Sequence, residues 1–340
     1  MSRYAEAHKT PRGPGDARPT ALQVVEDEGF IGKLTDKVFL VTGVSSGIGV
    51  ETMRALYATG GHVFGTVRNM EKGQKAVEEV KAKTTGGQIT LLEMDNESLA
   101  SVKQAAEAFL RQSKKLNILI NNAGVMATPE GRTKDGFELQ FGTNHVAHFY
   151  LFQLLKDTLL SSSTPAFPSR VVSVSSFGHR QGSVRFDDNF EFTRDPYNPG
   201  ASYGQSKTAN IWLANEIERR YGTRGLHATS LHPGGILTGL QIHAWDPNNP
   251  PAMLKEPTVA NYLKNTEQGA ATSVYAALSA EWKDKGGRYL SDCVEQGPFA
   301  HPEDPMFVGD DGYEKWAYDE EGEARLWKES LRLVGLTDDR

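Results

Sequence analysis

Short apolar runs alternate with longer amphipathic stretches along the middle of the chain. The apolar runs contain few polar residues and have the length of strands, and they cover residues 37–41, 62–67, 89–94, 116–120, 170–175 and 227–232. Helical periodicity covers 50–59, 70–83, 98–112, 136–160 and 203–221. This alternation predicts an α/β fold, in which a doubly wound parallel sheet carries helices on both faces within a single domain.

Three parts of the chain do not follow this alternation. Residues 1–36 read as a polar, flexible tail with a short helix that begins after Thr20. We expect residues 37–294 to form the main domain. Within it, residues 239–265 mix prolines with large apolar groups and are predicted to cap a pocket. Residues 295–340 form an acidic extension with a helix near its end. Surface decoration is the alternative interpretation of both the cap and the extension.

Composition and charge exclude several classes of protein. The chain has 340 residues with 38% hydrophobic and 24% charged residues, which is typical of a globular protein with a substantial core. A net charge of −6 without a basic cluster argues against nucleic-acid binding. No apolar run reaches the length of a membrane span. The lone Cys293 excludes an internal disulfide and a cysteine-based metal site, so we expect a reducing, cytoplasmic location.

A glycine-rich turn follows the first predicted strand directly. In "TGVSSGIG", Gly43 permits a tight turn, Gly47 lets the backbone approach a pyrophosphate, and Gly49 lets the following helix pack on the strand. The N-terminus of that helix offers free N–H groups and the positive end of its dipole to phosphates. Because the turn lies between a strand and a helix, it predicts a Rossmann-type dinucleotide site.

The end of the second strand bears on the choice of cofactor. NAD-binding folds usually place a carboxylate there for the ribose 2′-hydroxyl, whereas this chain has Val67 followed by Arg68. A guanidinium suits a 2′-phosphate through forked hydrogen bonds, so NADP (as NADPH) is the predicted cofactor. A surface arginine without a ligand is the alternative.

The stretch "YGQSK" places Tyr203 and Lys207 on one face of a helix. A free phenol has a pKa near 10, and an adjacent ammonium is expected to lower that pKa so that the phenol can exchange protons near neutral pH. Ser175 and Ser176 follow a strand at the end where open parallel sheets bind ligands, so one hydroxyl is expected to hold a carbonyl oxygen.

Taken together, these motifs resemble the short-chain dehydrogenase/reductase family over roughly residues 37–240, and most closely its retinol-dehydrogenase-like branch with soluble fungal and plant members. The matching motifs are T-G-x-x-x-G-x-G at 42–49, "NNAG" at 121–124, Asn144 in "GTNHVAHF", Ser176 in "VSS", Tyr203 and Lys207, and "HPGGILT" at 232–238. Asn96, after Asp95, departs from the aliphatic residue of many relatives.

The resemblance implies a role for each matched position. Ser176 would bind the carbonyl oxygen, Tyr203 would exchange the proton, Lys207 would tune Tyr203 and bind the nicotinamide ribose, and Asn144 would hold a proton-relaying water. The implied cofactor-binding residues are Gly43, Ser45, Ser46, Gly47, Ile48, Gly49, Arg68, Asp95, Asn122, Ala123, Gly124, Tyr203, Lys207, Pro233, Gly234, Ile236 and Thr238.

The expected function is therefore NADP-dependent interconversion of a carbonyl and an alcohol on a hydrophobic small molecule. Apolar residues of the cap suggest that substrate class, with secondary metabolism as a context, and family members commonly form homo-oligomers. A non-catalytic NADP-sensing scaffold of the same fold is the alternative, although such relatives tend to lose the tyrosine or the lysine. A sugar-nucleotide epimerase would have a different glycine spacing.

Overall fold

The six apolar runs form the parallel strands of one sheet. A computed structural model describes residues 2–193, 195–246 and 248–338. Five residues lie outside the described residues: Met1 in the predicted tail, Arg194, Pro247 in the predicted cap, and Asp339 and Arg340 in the predicted extension. The strands are β1 (Val38–Thr42), β2 (His62–Val67), β3 (Gln88–Glu93), β4 (Ile118–Asn121), β5 (Ser169–Val174), β6 (Leu226–Leu231), β7 (Tyr289–Ser291) and β8 (Val294–Glu295).

The order of the strands is β3-β2-β1-β4-β5-β6-β7-β8, and every described pairing except β7 with β8 is parallel. Strand order therefore reverses direction between β1 and β4, where open α/β sheets form their ligand crevice. The prediction of a doubly wound parallel α/β sheet in a single domain is confirmed. The short strands β7 and β8 are absent from the six predicted runs.

The helices between the strands agree with the predicted stretches. The α-helices of the described residues are α1 (Ala5–His8), α2 (Ala21–Asp27), α3 (Ile48–Ala58), α4 (Met70–Lys83), α5 (Leu99–Gln112), α6 (Leu139–Phe141), α7 (Ala147–Ser162), α8 (Pro199–Tyr221), α9 (Pro257–Tyr262), α10 (Thr266–Gly269), α11 (Ala271–Leu278) and α12 (Glu320–Leu333). The continuous helix predicted over 136–160 is wrong in detail, because a π-helical segment, Gly142–Val146, separates α6 from α7.

Two apolar cores enclose the sheet, one on each face. One core joins α2, α3, α4 and α11 to the sheet through residues such as Val24, Met53 and Val274. The other joins α5, α7, α8 and α12 through residues such as Phe109 and Trp327. Because both faces are covered, the strands carry the continuous apolar runs seen in the sequence.

The expectation of a flexible N-terminal tail is wrong. Thr20 does cap α2, by accepting a hydrogen bond from the N–H of Gln23 at 3.2 Å, as predicted. However, Tyr4 packs edge-on against the ring of Tyr275 in the core, and the guanidinium of Arg18 is buried. A few specific contacts therefore order this segment. These contacts could not be inferred from its polar composition.

The last part of the chain packs against α8 and the sheet. The predicted terminal helix is α12, and Trp327 and Leu331 on it belong to the core. The predicted cap contains two 3₁₀ turns, Gly239–His243 and Ala252–Lys255, followed by α9. Ile242 and Met253 in these turns are largely exposed.

Candidate active site

The glycine turn joins β1 to α3 with almost no free space around it. Gly43 has φ +74°, and a Cβ atom there would lie 2.9 Å from the Cβ of Ala123. A Cβ at Gly49 would lie 2.1 Å from the carbonyl oxygen of Gly43. Both positions therefore require glycine, for the conformation at Gly43 and for close packing at Gly49.

Residues 45–48 of the turn lead into the N-terminus of α3. Gly47 is the N-cap residue with φ +65°, and no side chain caps the helix. The first N–H groups of an α-helix lack intrahelical partners, so this end is suited to an anionic ligand. Ser46 is exposed, while Ser45 and Ile48 are half-buried. A Cβ at Gly47 would lie 3.6 Å from Cγ2 of Thr238, so the two predicted cofactor segments face each other here.

Four charged side chains cluster beyond the end of β2. Arg68 is 72% exposed at its side chain and donates from Nη1 to Glu97 Oε1 at 3.1 Å. Lys134 Nζ donates to Asp95 Oδ2 at 2.7 Å. Burial opposes ionisation of Asp95, but the hydrogen bonds from Lys134 and from the N–H of Glu97, together with the positive charges of Lys134 and Arg68, lower the pKa of this carboxyl. Lys134 is a second cation at this end, which sequence motifs did not indicate because it lies in the long connection after β4.

The segment after β4 is anchored to β1 through Thr42. The Oγ1 atom of Thr42 accepts hydrogen bonds from the N–H groups of Asn122 and Ala123, both at 2.9 Å. Asn122 Nδ2 donates to the carbonyl oxygen of Thr42 at 2.8 Å. Gly124 follows, and a Cβ there would lie 3.6 Å from Lys207 Nζ. The "NNAG" segment therefore lies between the glycine turn and Lys207, one of the predicted catalytic residues.

Ser176, Tyr203 and Lys207 converge beyond the carboxyl end of β5. Ser176 caps the 3₁₀ turn Phe177–Gln181, since its Oγ accepts from the N–H of Gly178 at 3.0 Å. The hydroxyl of Ser176 lies close to the ring of Tyr203, since a Cβ at Gly178 would lie 3.3 Å from Ser176 Oγ and 2.7 Å from Tyr203 Cε1. Lys207 Nζ lies 5.5 Å from the centroid of the Tyr203 ring and donates to the carbonyl oxygen of Val174 at 3.0 Å. All three side chains are buried.

The pKa values of this group differ from the sequence-based expectation. Burial raises the pKa of Tyr203 to about 12, although the neighbouring Ser176 hydroxyl acts in the opposite direction. Burial also lowers the pKa of Lys207 to about 8. The expectation that Lys207 lowers the pKa of Tyr203 is therefore not met, because desolvation of the phenol dominates. At neutral pH, Tyr203 is a neutral proton donor beside a largely cationic lysine.

Asn144 lies in the π-helical segment, and its amide clamps the loop after β4. Its Oδ1 accepts from the N–H of Val125 and its Nδ2 donates to the Val125 carbonyl oxygen, both at 2.9 Å. Nδ2 also donates to Ser206 Oγ at 2.9 Å, next to Lys207 on α8. Single π-helical turns occur frequently at functional sites. These bonds give the Asn144 side chain a structural task, and its catalytic role stays a prediction.

The segment Pro233–Thr238 follows β6 on the other side of the crevice. Gly234 has φ +106°, and a Cβ there would lie 2.8 Å from Lys264 Nζ. Ile236 forms a parallel β-bridge with Lys264. Thr238 caps the next 3₁₀ turn by accepting from the N–H of Leu240 at 3.2 Å. Residues 233–238 are thus held by the chain around residue 264, a contact that no sequence motif indicates.

Two further residues position the serine turn and were missed at the sequence level. A Cβ at Gly178 would lie 2.7 Å from Cε1 of Tyr203, so glycine is needed for the turn to pack on the phenol ring. His179 Nε2 accepts from the N–H of Glu314 at 3.2 Å, and its Nδ1 therefore donates to the carbonyl oxygen of Ser176 at 2.7 Å. The sequence offered only an isolated histidine and glycine after "VSS".

Comparisons with known proteins agree with this arrangement. The model of the family described as short chain dehydrogenase matches residues 37–187. "Short-chain dehydrogenase/reductase prx1" of Penicillium roqueforti is 50% identical over 99% of this chain and 96% of its own length. "Oxidoreductase calI" of Penicillium decumbens is 40% identical over 99% and 98%. "Retinol dehydrogenase 12" of Mus musculus is 36% identical over 89% and 88%.

Solved structures share the fold. A crystal structure of a protein from Mycobacterium paratuberculosis is 29% identical, with a TM-score of 0.65 over 91% of this chain and 97% of that one. A short chain dehydrogenase from Burkholderia cenocepacia in complex with NADP is 24% identical, with a TM-score of 0.57 over 75% and 95%. None of the helices in the described parts of the chain is long and apolar enough to cross a membrane. The chain belongs to the short-chain dehydrogenase/reductase family, as a retinol-dehydrogenase-like oxidoreductase.

Proposed function

We propose that this oxidoreductase uses NADP to interconvert a ketone or aldehyde and the corresponding alcohol on a hydrophobic small molecule. The observation that carries this proposal is the convergence of Ser176, Tyr203 and Lys207 beside the segment after β4, which is hydrogen-bonded to Thr42 at the start of the glycine turn. A hydroxyl pair and an ammonium are the groups that carbonyl reduction needs from a protein, since the oxygen gains negative charge as hydride arrives.

Glycines at the proposed nucleotide site support the binding of a dinucleotide. Gly43 and Gly49 allow the tight turn from strand to helix, and Gly124 lets the loop after β4 pack on Asn144 and Lys207 without a side chain between them. The N-terminus of α3 faces the same crevice and favours phosphate. When bound, NADPH supplies the hydride.

The side chains divide the remaining tasks. Ser176 donates a hydrogen bond to the substrate oxygen, and Tyr203 donates its phenolic proton to that oxygen during reduction. Lys207 stabilises the negative charge that develops on Tyr203 and binds the nicotinamide ribose. In alcohol oxidation the proton returns to Tyr203. The raised pKa of Tyr203 keeps the phenol protonated and ready for the reductive direction.

NADP is preferred over NAD because Arg68 follows β2 where a carboxylate would bind the ribose 2′-hydroxyl. Lys134 adds a second positive charge to the same surface. Two of the solved structures with this fold have NADP in their titles, one being the Pseudomonas aeruginosa RhlG/NADP active-site complex, at a TM-score of 0.60. Asp95, Asn122, Pro233 and Ile236 complete the proposed cofactor site.

A hydrophobic substrate is supported by the exposed apolar residues Leu237, Ile242 and Met253 around the cap. The relatives named retinol dehydrogenase are consistent with an apolar alcohol or aldehyde. We also propose a homo-oligomer, a cytoplasmic location and a context in secondary metabolism. The alternative, an NADP-sensing scaffold, gains no support from the named relatives.

A titration tests the cofactor and the function in two steps. The purified protein is titrated with NADPH and with NADH while nucleotide fluorescence is recorded, and apolar ketones and aldehydes are then screened for oxidation of NADPH. Tighter binding of NADPH and turnover of an apolar carbonyl are expected. Stronger binding of NADH would overturn the assignment of Arg68. Tight NADPH binding without turnover across the ketones, aldehydes and alcohols would favour the scaffold.

A further inference from the structure

The N-terminal segment, residues 2–20, is attached to residues 257–268, which comprise the end of the predicted cap and the start of α10. The N–H of Gly13 donates to the carbonyl oxygen of Asn261 at 2.9 Å. Gln268 Nε2 donates to the carbonyl oxygen of Arg18 at 3.1 Å and to Asp16 Oδ1 at 3.0 Å. The N–H of Gly15 donates to Gln268 Oε1 at 2.9 Å. Two parts of the chain about 250 positions apart are therefore joined by several hydrogen bonds.

Arg18 is the centre of this attachment. Its side chain is 2% exposed, and Nε forms an ion pair with Asp16 Oδ1 at 2.9 Å. Nη1 donates to the carbonyl oxygen of Tyr262 at 2.8 Å, and Nη2 donates to those of Leu263 at 2.6 Å and Asn261 at 3.2 Å. One planar guanidinium thus fixes three consecutive carbonyl groups, which a lysine could not do with the same geometry.

The fixed carbonyls lie directly before the residue that holds the cofactor segment. The N–H of Lys264 donates to the carbonyl oxygen of Gly235 at 2.8 Å, and Lys264 pairs with Ile236 in a parallel bridge. A Cβ at Gly235 would lie 3.0 Å from Cε1 of Tyr262. Residues 262–264 therefore pack closely on residues 234–236, so a displacement of one segment moves the other.

We propose that Arg18 is a positioning residue for the segment Pro233–Thr238, acting through the carbonyl groups of residues 261–263. The inference rests on the proposed function, in which this segment binds the nicotinamide end of the cofactor. The N-terminal segment then supports the binding site without contacting the ligand. A small displacement at a binding site is enough to change affinity and rate substantially, so losing this anchor weakens nucleotide binding although Arg18 touches no ligand.

The test compares Arg18→Met with Arg3→Met in the full chain. Methionine keeps an unbranched apolar stem and removes the guanidinium. Arg3 lies in the same segment, but its side chain is 53% exposed and donates to the carbonyl oxygen of Asp27, away from the cap. Arg18→Met is expected to raise the Kd of NADPH and the KM of the carbonyl substrate about tenfold, with a change in kcat of less than about threefold. Arg3→Met is expected to match the wild type.

Amide hydrogen exchange gives a second readout that needs no ligand. Exchange in residues 233–238 and 257–265 is expected to rise in Arg18→Met, while exchange in β1 and β4 stays unchanged. Should Arg18→Met not fold, Asp16→Asn is measured instead, since it weakens the ion pair and keeps the guanidinium. Exchange and Kd equal to those of Arg3→Met would overturn the proposal. Failure of the proposed function would differ, because the wild type itself would then bind neither NADPH nor NADH.

Discussion

Lys207 Nζ lies 5.5 Å from the ring centroid of Tyr203 and donates its hydrogen bond to the carbonyl oxygen of Val174. The ammonium is thus close enough to stabilise a charge on the phenolate oxygen but is held by the backbone. Since both groups are buried, each resists its charged form: the pKa of Tyr203 is raised to about 12 and that of Lys207 is lowered to about 8. The pair therefore consists of a neutral phenol and a cation that is lost in mild alkali.

The first prediction concerns the pH dependence of carbonyl reduction. Below pH 8 Lys207 is largely cationic and Tyr203 is protonated, so both are in the state that reduction requires. Above a pKa of about 8 the cation is lost, and kcat/KM is expected to fall about tenfold per pH unit while Tyr203 remains protonated. The fall in kcat/KM is measured from initial rates between pH 6 and 10, which is roughly two pH units on either side of that pKa. A flat profile across the range would contradict the assigned role of Lys207.

The second prediction concerns the charges at the end of β2. Arg68→Asp is expected to raise the Kd of NADPH about a hundredfold and that of NADH less than about fivefold, because a carboxylate repels the 2′-phosphate. Lys75→Asp on α4 is a matched charge inversion, since Lys75 is exposed and pairs only with Glu71 among the contacts described for it. Equal losses for both nucleotides would remove Arg68 from the cofactor site.

A related substitution tests the ion pair of Arg68 directly. Glu97 Oε1 accepts from Arg68 Nη1 at 3.1 Å and competes with a phosphate for the guanidinium. Glu97→Gln is expected to lower the Kd of NADPH about twofold to fivefold, as is typical of a weak exposed pair. The same fluorescence titration measures it, and a weaker affinity for NADPH would show that Glu97 positions Arg68 rather than competing for it.

The next prediction concerns the hydrogen bonds of the Asn144 side chain. It compares their loss with the loss of a neighbouring side chain in the same π-helical segment. Asn144→Ala removes two hydrogen bonds to Val125 and one to Ser206, so the free energy of unfolding is expected to fall by about 1–3 kcal/mol. Turnover is expected to fall as well, because Val125 follows the cofactor segment. Thr143→Ala is the control, since its buried hydroxyl has no hydrogen-bond partner in the described structure. Urea unfolding that is identical for both variants would contradict this account.

The architecture could be predicted from the sequence where local pattern and packing agree. Strands buried on both faces carry uninterrupted apolar runs, and the glycine turn has a fixed order of strand, turn and helix. The candidate catalytic residues could be proposed because their motifs lie at strand ends and on one helix. The remaining details depend on contacts between distant parts of the chain, which leave no periodic signal.

Three elements illustrate that limit. The strands β7 and β8 contain only three and two residues, and they are stabilised by pairing with β6 and with each other rather than by propensity. The N-terminal segment is ordered by a buried arginine, a residue type that usually indicates solvent exposure. The pKa of Tyr203 depends on how deeply the fold buries the phenol, which the spacing of tyrosine and lysine does not determine.

The role of Tyr203 as proton donor is tested by comparing the wild type with Tyr203→Phe, by NADPH titration and by NADPH oxidation with an apolar carbonyl substrate. The variant keeps the buried ring and loses only the phenolic hydroxyl. Tyr57→Phe, on α3, is the control for loss of a tyrosine hydroxyl. A proton-donating role for Tyr203 predicts a fall in kcat of about a thousandfold or more in this variant, with the Kd of NADPH changed less than about twofold. Turnover retained by Tyr203→Phe would contradict it.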